Sequence, residues 1–315
     1  MEGLTRNVYR RRHAEIFGGA DRYFTPFLTP GADEAFGEKE LREVRREDCG
    51  DVNTVPQLLV SKAEHFIWAA KFLRTLGHGE INLNLGCPSG TVVAKHKGSG
   101  MLADIGALDV FFENVFDALQ GEDIKISVKT RIGIEGSSKW ENIIEVFNRY
   151  PICEVTVHPR VRKQFYKGKP ELDAFETALK AANMPLCYNG DIFTADDAKR
   201  LKERFGAADK VMLGRGLIAN PALARQLRGG AEAAKDEMQR FHDALLEDYL
   251  AMIGGEINVL HKMKELWSYW ECLYPEGKKA IKEIRKAKRL ADYRSAASSV
   301  LAAEPVKNGA YRAEE

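Results

Sequence analysis

The sequence is poor in features that would assign it to a class at once. It has no CxxC pair. Its five cysteines, at 49, 87, 153, 187 and 272, are odd in number and scattered. That pattern argues against a disulfide frame or a zinc ribbon, favours a reducing compartment, and leads us to expect no metal centre. No apolar run approaches the roughly 20 residues of a membrane span, and no leader-like segment opens the chain. A cytoplasmic protein without a membrane association is expected. There is no excess charge of either sign, with 47 Lys and Arg against 46 Asp and Glu, so net charge does not select a partner. Low-complexity segments and internal repeats are also missing. What remains is an ordinary hydrophobic content of 44% over 315 residues, enough for one large domain and a smaller one.

The stretch Asn82-Leu83-Asn84-Leu85-Gly86-Cys87-Pro88-Ser89-Gly90, running on to Gly98-Ser99-Gly100, organises the rest. Residues 80–85 alternate polar and apolar and read as a strand. Gly86 ends it, and Pro88 keeps Cys87 out of the helical region. A thiol on a rigid turn at a strand's end, under a glycine-containing loop, is placed to act as an acid or nucleophile. A small buried residue is the plainer reading of a free cysteine.

Strands are expected at 23–28, 55–60, 80–85, 124–130, 153–158, 185–188 and 210–213. Helices are expected at 4–17, 61–73, 105–119, 140–150, 172–182, 194–205 and 220–227. Ser61 with Glu64 suggests a capping box, and Thr194 before Asp196 and Asp197 suggests a second cap. Strands alternating with helices imply a parallel sheet with right-handed crossovers. Seven such units, each with polar residues closing the strand, predict an α/β fold of the (β/α)8 TIM-barrel type. Sites in that fold lie at the C-terminal strand ends. Those ends carry Cys87, Lys129, His158, Asn189 and Arg215. Lys129 is placed to hold negative charge, and His158 to bind phosphate, orient a carbonyl or move a proton. Gln57, a polar residue in an apolar strand, needs partners that a heterocycle would supply. Asn189-Gly190-Asp191 and Gly214-Arg215-Gly216 form two glycine turns suited to a phosphate.

After Gly229 the strands stop. Leu260, Met263, Leu266, Trp267, Trp270 and Leu273 form a helical stripe that reads as core. Ala280, Ile281, Ile284, Ala287 and Leu290 form a second. Lys278, Lys279, Lys282, Arg285, Lys286, Lys288 and Arg289 lie on its other side, opposed by Glu283 alone. A solvated face and an RNA-binding face remain equal readings of that pattern.

The set Asn84-Leu85-Gly86-Cys87-Pro88-Ser89, Val128-Lys129-Thr130-Arg131, Val157-His158-Pro159-Arg160, Asn189-Gly190-Asp191 and Met212-Leu213-Gly214-Arg215-Gly216 closely resembles the tRNA-dihydrouridine synthases. The resemblance implies an FMN-bound barrel over 1–229, a helical tRNA-binding domain over 230–304 and a disordered tail over 305–315. It implies NADPH-driven reduction of the 5,6-double bond of a D-loop uridine. Cys87 matches the proton donor to carbon 5. Gln57 and Lys129 match flavin-ring contacts, and His158 a histidine near flavin and substrate. Asn189, Gly190, Asp191, Gly214 and Arg215 match the phosphate and ribityl contacts. Asn84 matches an asparagine ordering the base. Arg160, Lys278, Lys282, Arg285, Lys286 and Arg289 are assigned to the RNA, and a monomer is expected. His158-Pro159-Arg160 departs from the commoner His-Gly-Arg. Met1-Glu2-Gly3-Leu4-Thr5 looks like the end of the family's first-strand motif, and the strand itself is absent from this chain. Weak FMN binding or poor folding is therefore expected, with upstream codons restoring the strand. Two alternatives stand beside this reading: a barrel flavin oxidoreductase acting on a free pyrimidine, and a catalytically silent RNA-binding protein.

Overall fold

A computed structural model describes residues 1, 3–31, 33–206, 209–306, 309 and 311. Of the expected tail beyond 304, only 305, 306, 309 and 311 fall among them; the Val306 N–H donates to the Leu273 carbonyl at 2.8 Å. The chain divides into two units. One comprises residues 22–190 and 201–212; the other comprises 1–21, 191–200 and the chain from 213 onwards. Among the described residues, no helix is long and apolar enough to cross a membrane.

The first unit is a parallel sheet with crossover helices. Its strands are β1 (Tyr23–Phe24), β2 (Thr54–Val55), β3 (Gln57–Leu58), β4 (Glu80–Leu85), β5 (Lys125–Arg131), β6 (Glu154–His158) and β7 (Leu186–Tyr188). β3 to β7 pair in sequence order, all parallel. Leu28 bridges to Leu58 at one edge and Val211 to Tyr188 at the other, so seven chain segments run in parallel register. The expected strand over 55–60 is instead two short strands. Proline lacks the N–H that would continue a ladder, so pairing is interrupted at Pro56. Thr54 and Val55 pair with β1, and Gln57 and Leu58 with β4. The Pro56 carbonyl is still used, accepting the Asn82 N–H at 2.8 Å.

Side chains alternate across a strand. On one face Ile81, Leu83, Leu85, Ile126, Val128 and Val155 are buried against the helix layer. Tyr188 shares that face and meets Phe175 of helix Leu172–Ala181 edge-on, with centroids 5.1 Å apart. The other face is polar. Register aligns Gln57, Asn82, Ser127 and Glu154 in one layer, and Asn84, Lys129, Thr156 and Cys187 in the next. At the N-terminal strand ends Arg22 donates to Glu80 at 2.7 Å and pairs with Glu154, and Lys210 donates to Glu154 at 2.9 Å. This ion network closes the floor of the polar interior and leaves its chemistry to the opposite end.

Helix Ala63–Thr75 begins two residues after the expected Ser61 cap. Its N-cap is Lys62, with no side-chain cap bond, so the Ser61–Glu64 capping box is not formed. Glu64 still lies in the first turn, where the helix dipole favours a carboxylate. The second expected cap is present. Thr194 Oγ1 accepts the Asp197 N–H at 3.2 Å, and Asp197 accepts the Thr194 N–H at 2.8 Å.

The second unit is helical. Met263, Leu266, Trp267 and Trp270 of helix Glu256–Trp270 are buried, as the stripe predicts. A polar chain ties this helix to its neighbours. Trp267 Nε1 donates to Tyr293 Oη at 2.9 Å, Tyr293 Oη lies 2.7 Å from His242 Nε2, and His242 Nδ1 lies 2.8 Å from Asp243. Trp267, Tyr293 and His242 are buried, and the chain gives each a partner, which a buried polar group requires. Helix Lys278–Lys286 buries Ile281 and Ile284. Lys278, Lys279, Lys282, Arg285 and Lys286 are exposed on it, as are Lys288 and Arg289 beyond it. Arg285 pairs with Glu271.

Candidate active site

Cys87 leaves β4 half-buried on a turn held from four sides. Asn84 Oδ1 accepts the backbone N–H groups of Gly86 and Cys87, both at 2.9 Å. The Cys87 carbonyl accepts the N–H of Ser99 at 3.1 Å and its hydroxyl at 2.8 Å. Arg131 Nε donates to the Gly86 carbonyl at 3.0 Å, and Arg162 Nε to the Pro88 carbonyl at 3.2 Å. Gly98 explains why the loop can fold back so closely. Its φ is +57°, and a Cβ there would lie 2.9 Å from Cys87 Cβ, so only glycine fits.

Below the turn runs a chain of amides. Asn84 Nδ2 donates to Gln57 Oε1 at 2.7 Å, Gln57 Nε2 to Asn82 Oδ1 at 2.8 Å, and Asn82 Nδ2 to Ser127 Oγ at 2.9 Å. All four side chains are buried. Each amide orientation is fixed by the next, so donors and acceptors are preorganised rather than free to flip. Gln57, Asn84, Lys129 and Cys87 are among the site residues expected from the sequence; Asn82, Ser127, Ser99, Arg131 and Arg162 are not. Parity was the available signal, because Asn82 and Ser127 sit two residues before Asn84 and Lys129 on the same faces.

Lys129 is the register partner of Asn84. Its Nζ makes no hydrogen bond or ion pair with any described residue. Burial, with the Arg131 charge second, pulls its pKa down to about 8. Unfolded, the same lysine titrates near 10.4. Between those values the unfolded chain binds more protons, so stability rises with pH through that window; below about pH 8 the burial penalty is fully present. Wild-type protein should gain on the order of 2 kcal/mol relative to Lys129→Met between pH 8 and 10, read as denaturant midpoints. Parallel pH curves for the two proteins would refute the assignment.

His158 ends β6 and pairs in register with Arg131. Arg160 Nη1 lies 3.1 Å from His158 Nε2, and Arg160 Nη2 donates to the Gly168 carbonyl at 2.5 Å. A guanidinium can only donate, so Nε2 accepts and the ring proton sits on Nδ1. Tyr166 lies alongside the ring, with centroids 6.3 Å apart. Asn189 follows β7. Its N–H donates to the Val157 carbonyl at 2.9 Å and its Nδ2 to the Met212 carbonyl at 2.8 Å. In the helical unit, Asp191 adopts φ +40° and accepts from Arg215 at 2.8 Å, while the Arg215 guanidinium lies 5.5 Å from the Phe193 centroid. Gly214 precedes the short helix Arg215–Ala219. The structure therefore brings Gln57, Asn84, Cys87, Lys129, His158 and Arg160 to the strand ends of one unit. Gly214, Arg215 and the five exposed cations assigned to RNA belong to the other.

A half-buried lysine without an ion-pair partner among the described residues, beside oriented amides and the Cys87 turn, fits an electron-rich planar ring with carbonyl acceptors. Comparison with known proteins agrees in fold and family. An old yellow enzyme homologue from Zymomonas mobilis is 12% identical with a TM-score of 0.50, over 73% of this chain and 88% of that one. A 2-naphthoyl-CoA reductase is 12% identical with a TM-score of 0.55, over 71% of this chain and 46% of that one. These likenesses show the fold, an α/β barrel of the TIM type. A probable tRNA-dihydrouridine synthase of Rhizobium leguminosarum bv. phaseoli is 33% identical over 223 residues, 70% of this chain and 68% of the relative. A tRNA-dihydrouridine(16) synthase of Aquipseudomonas alcaligenes is 28% identical over 297 residues, 91% of this chain and 93% of the relative. The model of the dihydrouridine synthase family matches residues 1–308, and the chain belongs to that family.

Proposed function

We propose that this chain is an FMN-dependent tRNA-dihydrouridine synthase that reduces the 5,6-double bond of a D-loop uridine with NADPH as reductant. The observation that carries the reading is the Cys87 turn, fixed by Asn84 above the amide chain and Lys129. FMN bound there supplies the hydride for carbon 6 of uracil. Lys129, pulled down to about 8, takes up a proton more readily when negative charge arrives beside it. Gln57 keeps one N–H and one lone pair beyond its contacts with Asn82 and Asn84, enough to meet a ring edge. Cys87 gives its proton to carbon 5, as a positioned general acid. The turn's four anchors fix the backbone that carries the thiol, and fixed geometry of that kind is what proton transfer requires. The contacts at Asn189, Gly190, Asp191, Gly214 and Arg215 with phosphate and ribityl, and those of Arg160, Lys278, Lys282, Arg285, Lys286 and Arg289 with RNA, belong to the same proposal at the level of residues. So do the domain limits 1–229 and 230–304, the monomeric state and the cytoplasmic location.

The test uses purified protein, its extracted cofactor identified by chromatography, and an unmodified tRNA transcript. Expected are FMN in the protein and tRNA-dependent NADPH oxidation. One uridine in the D-loop should gain two mass units. Reduction of free uridine or uracil without tRNA would favour the small-pyrimidine oxidoreductase. Binding of tRNA without reduction would favour the silent RNA-binding protein.

A further inference from the structure

Phe165 has no part in the chemistry above, yet it is held with unusual firmness. It is 43% exposed and adopts φ +51°, a region that bulky side chains avoid. Its peptide groups are tied in place: the N–H donates to the Arg162 carbonyl at 3.1 Å, and the carbonyl accepts from Arg131 Nη2 at 2.6 Å. The Arg162 guanidinium lies 5.8 Å from the ring centroid. Both arginines also grip the Cys87 turn, at the Gly86 and Pro88 carbonyls. The ring is thus presented to solvent at a set distance from the thiol. Costly backbone conformations persist where the surroundings over-determine them, and such places are often functional.

The segment that carries Phe165 has charge of one sign. Residues 159–170 hold five basic side chains and no acid, and residues 88–103 add Lys95, His96 and Lys97, also with no acid. Lys95, Lys163, Lys167 and Lys169 are exposed. Lys163 reaches Glu135 at 3.2 Å. An exposed aromatic ring among cations is complementary to a chain of phosphates carrying flat bases.

We propose that Phe165 is a stacking platform for an unpaired base next to the target uridine, with Lys167 and Lys169 neutralising the adjoining phosphates. The proposal rests on the reading that the substrate is tRNA. Extruding one base leaves its neighbour without a stacking partner, and an aromatic face replaces it whatever the base is.

Binding of an unmodified tRNA transcript is measured by anisotropy at several salt concentrations, alongside the steady-state rate. Phe165→Gly keeps the positive φ and removes the ring. Affinity should fall about ten-fold or more, with the loss in KM rather than kcat and an unchanged salt slope. Phe165→Tyr should restore affinity. Lys167→Gln with Lys169→Gln should instead lower the salt slope by about 1. Wild-type affinity in Phe165→Gly, or failure of tyrosine to restore it, overturns the inference while leaving the substrate reading intact. A wild-type protein that neither binds nor reduces tRNA overturns that reading itself.

Discussion

Cys87→Ala should lower dihydrouridine formation by about 10²- to 10⁴-fold, the range for loss of a positioned general acid. FMN content and tRNA affinity should remain at wild-type levels. The substitution removes one sulfur and disturbs little else, because the turn is built from backbone groups. Asn84 Oδ1 takes the N–H of residue 87, and Ser99 binds its carbonyl; alanine offers both. Alanine also keeps the Cβ over which Gly98 folds back, where a side chain at 98 would come within 2.9 Å. The defect should therefore sit in the proton-transfer half of the reaction. Oxidation of reduced flavin by tRNA, followed by stopped-flow absorbance, should slow while flavin reduction by NADPH does not. Cys87→Ser should recover little, because a hydroxyl is a far weaker acid than a thiol. An alanine variant that modifies tRNA at the wild-type rate would remove Cys87 from the mechanism and move attention to His158 as proton source.

Parts of this site could be read in the sequence, and the division has a physical cause. β4, β5 and β6 announce themselves by alternation, and the residues closing them are where a barrel puts its chemistry. Cys87, Lys129 and His158 were legible for that reason. Asn82 and Ser127 were not, because a polar residue in an alternating strand ordinarily faces water. Here the polar face is the inside, a fact that depends on register running from Gln57 to Glu154, three strands apart. Pro56 hid a change of pairing partner within one apolar run. Arg131 was quoted as part of a motif but given no task, because its three acceptors come from segments 30 to 45 residues away. Local pattern cannot show such contacts. The Ser61–Glu64 pair had the right spacing, yet the helix started later; a cap signal says a helix is near and does not fix its first turn.

Arg131→Met should destabilise the protein by about 3 kcal/mol and lower activity by about 10²-fold. The guanidinium is buried and donates to the Gly86 carbonyl at 3.0 Å, the Val161 carbonyl at 3.0 Å and the Phe165 carbonyl at 2.6 Å. It also lies 5.6 Å from the Tyr166 centroid. Methionine keeps much of the packing of the stem and loses every donor. Charged hydrogen bonds contribute about 1.5–3 kcal/mol each, but these three share one side chain and do not add fully. One compensation opposes the loss. The Arg131 charge is second to burial in holding the Lys129 pKa down, so removing it lets Lys129 ionise more easily. That shift gives the variant a signature unlike simple unfolding, namely a Lys129 pKa moved upward from about 8. Arg131→Lys keeps the charge and should leave Lys129 low, yet an ammonium cannot span three carbonyls in one plane, so the Cys87 turn loosens in this variant too. Denaturant midpoints and a carbon-13 titration of the lysine side chains separate the two effects. Loss of activity in both variants, with Lys129 shifted only in methionine, is the expected pair of results. A methionine variant as stable and as active as wild type would mean that the two loops hold the thiol without Arg131.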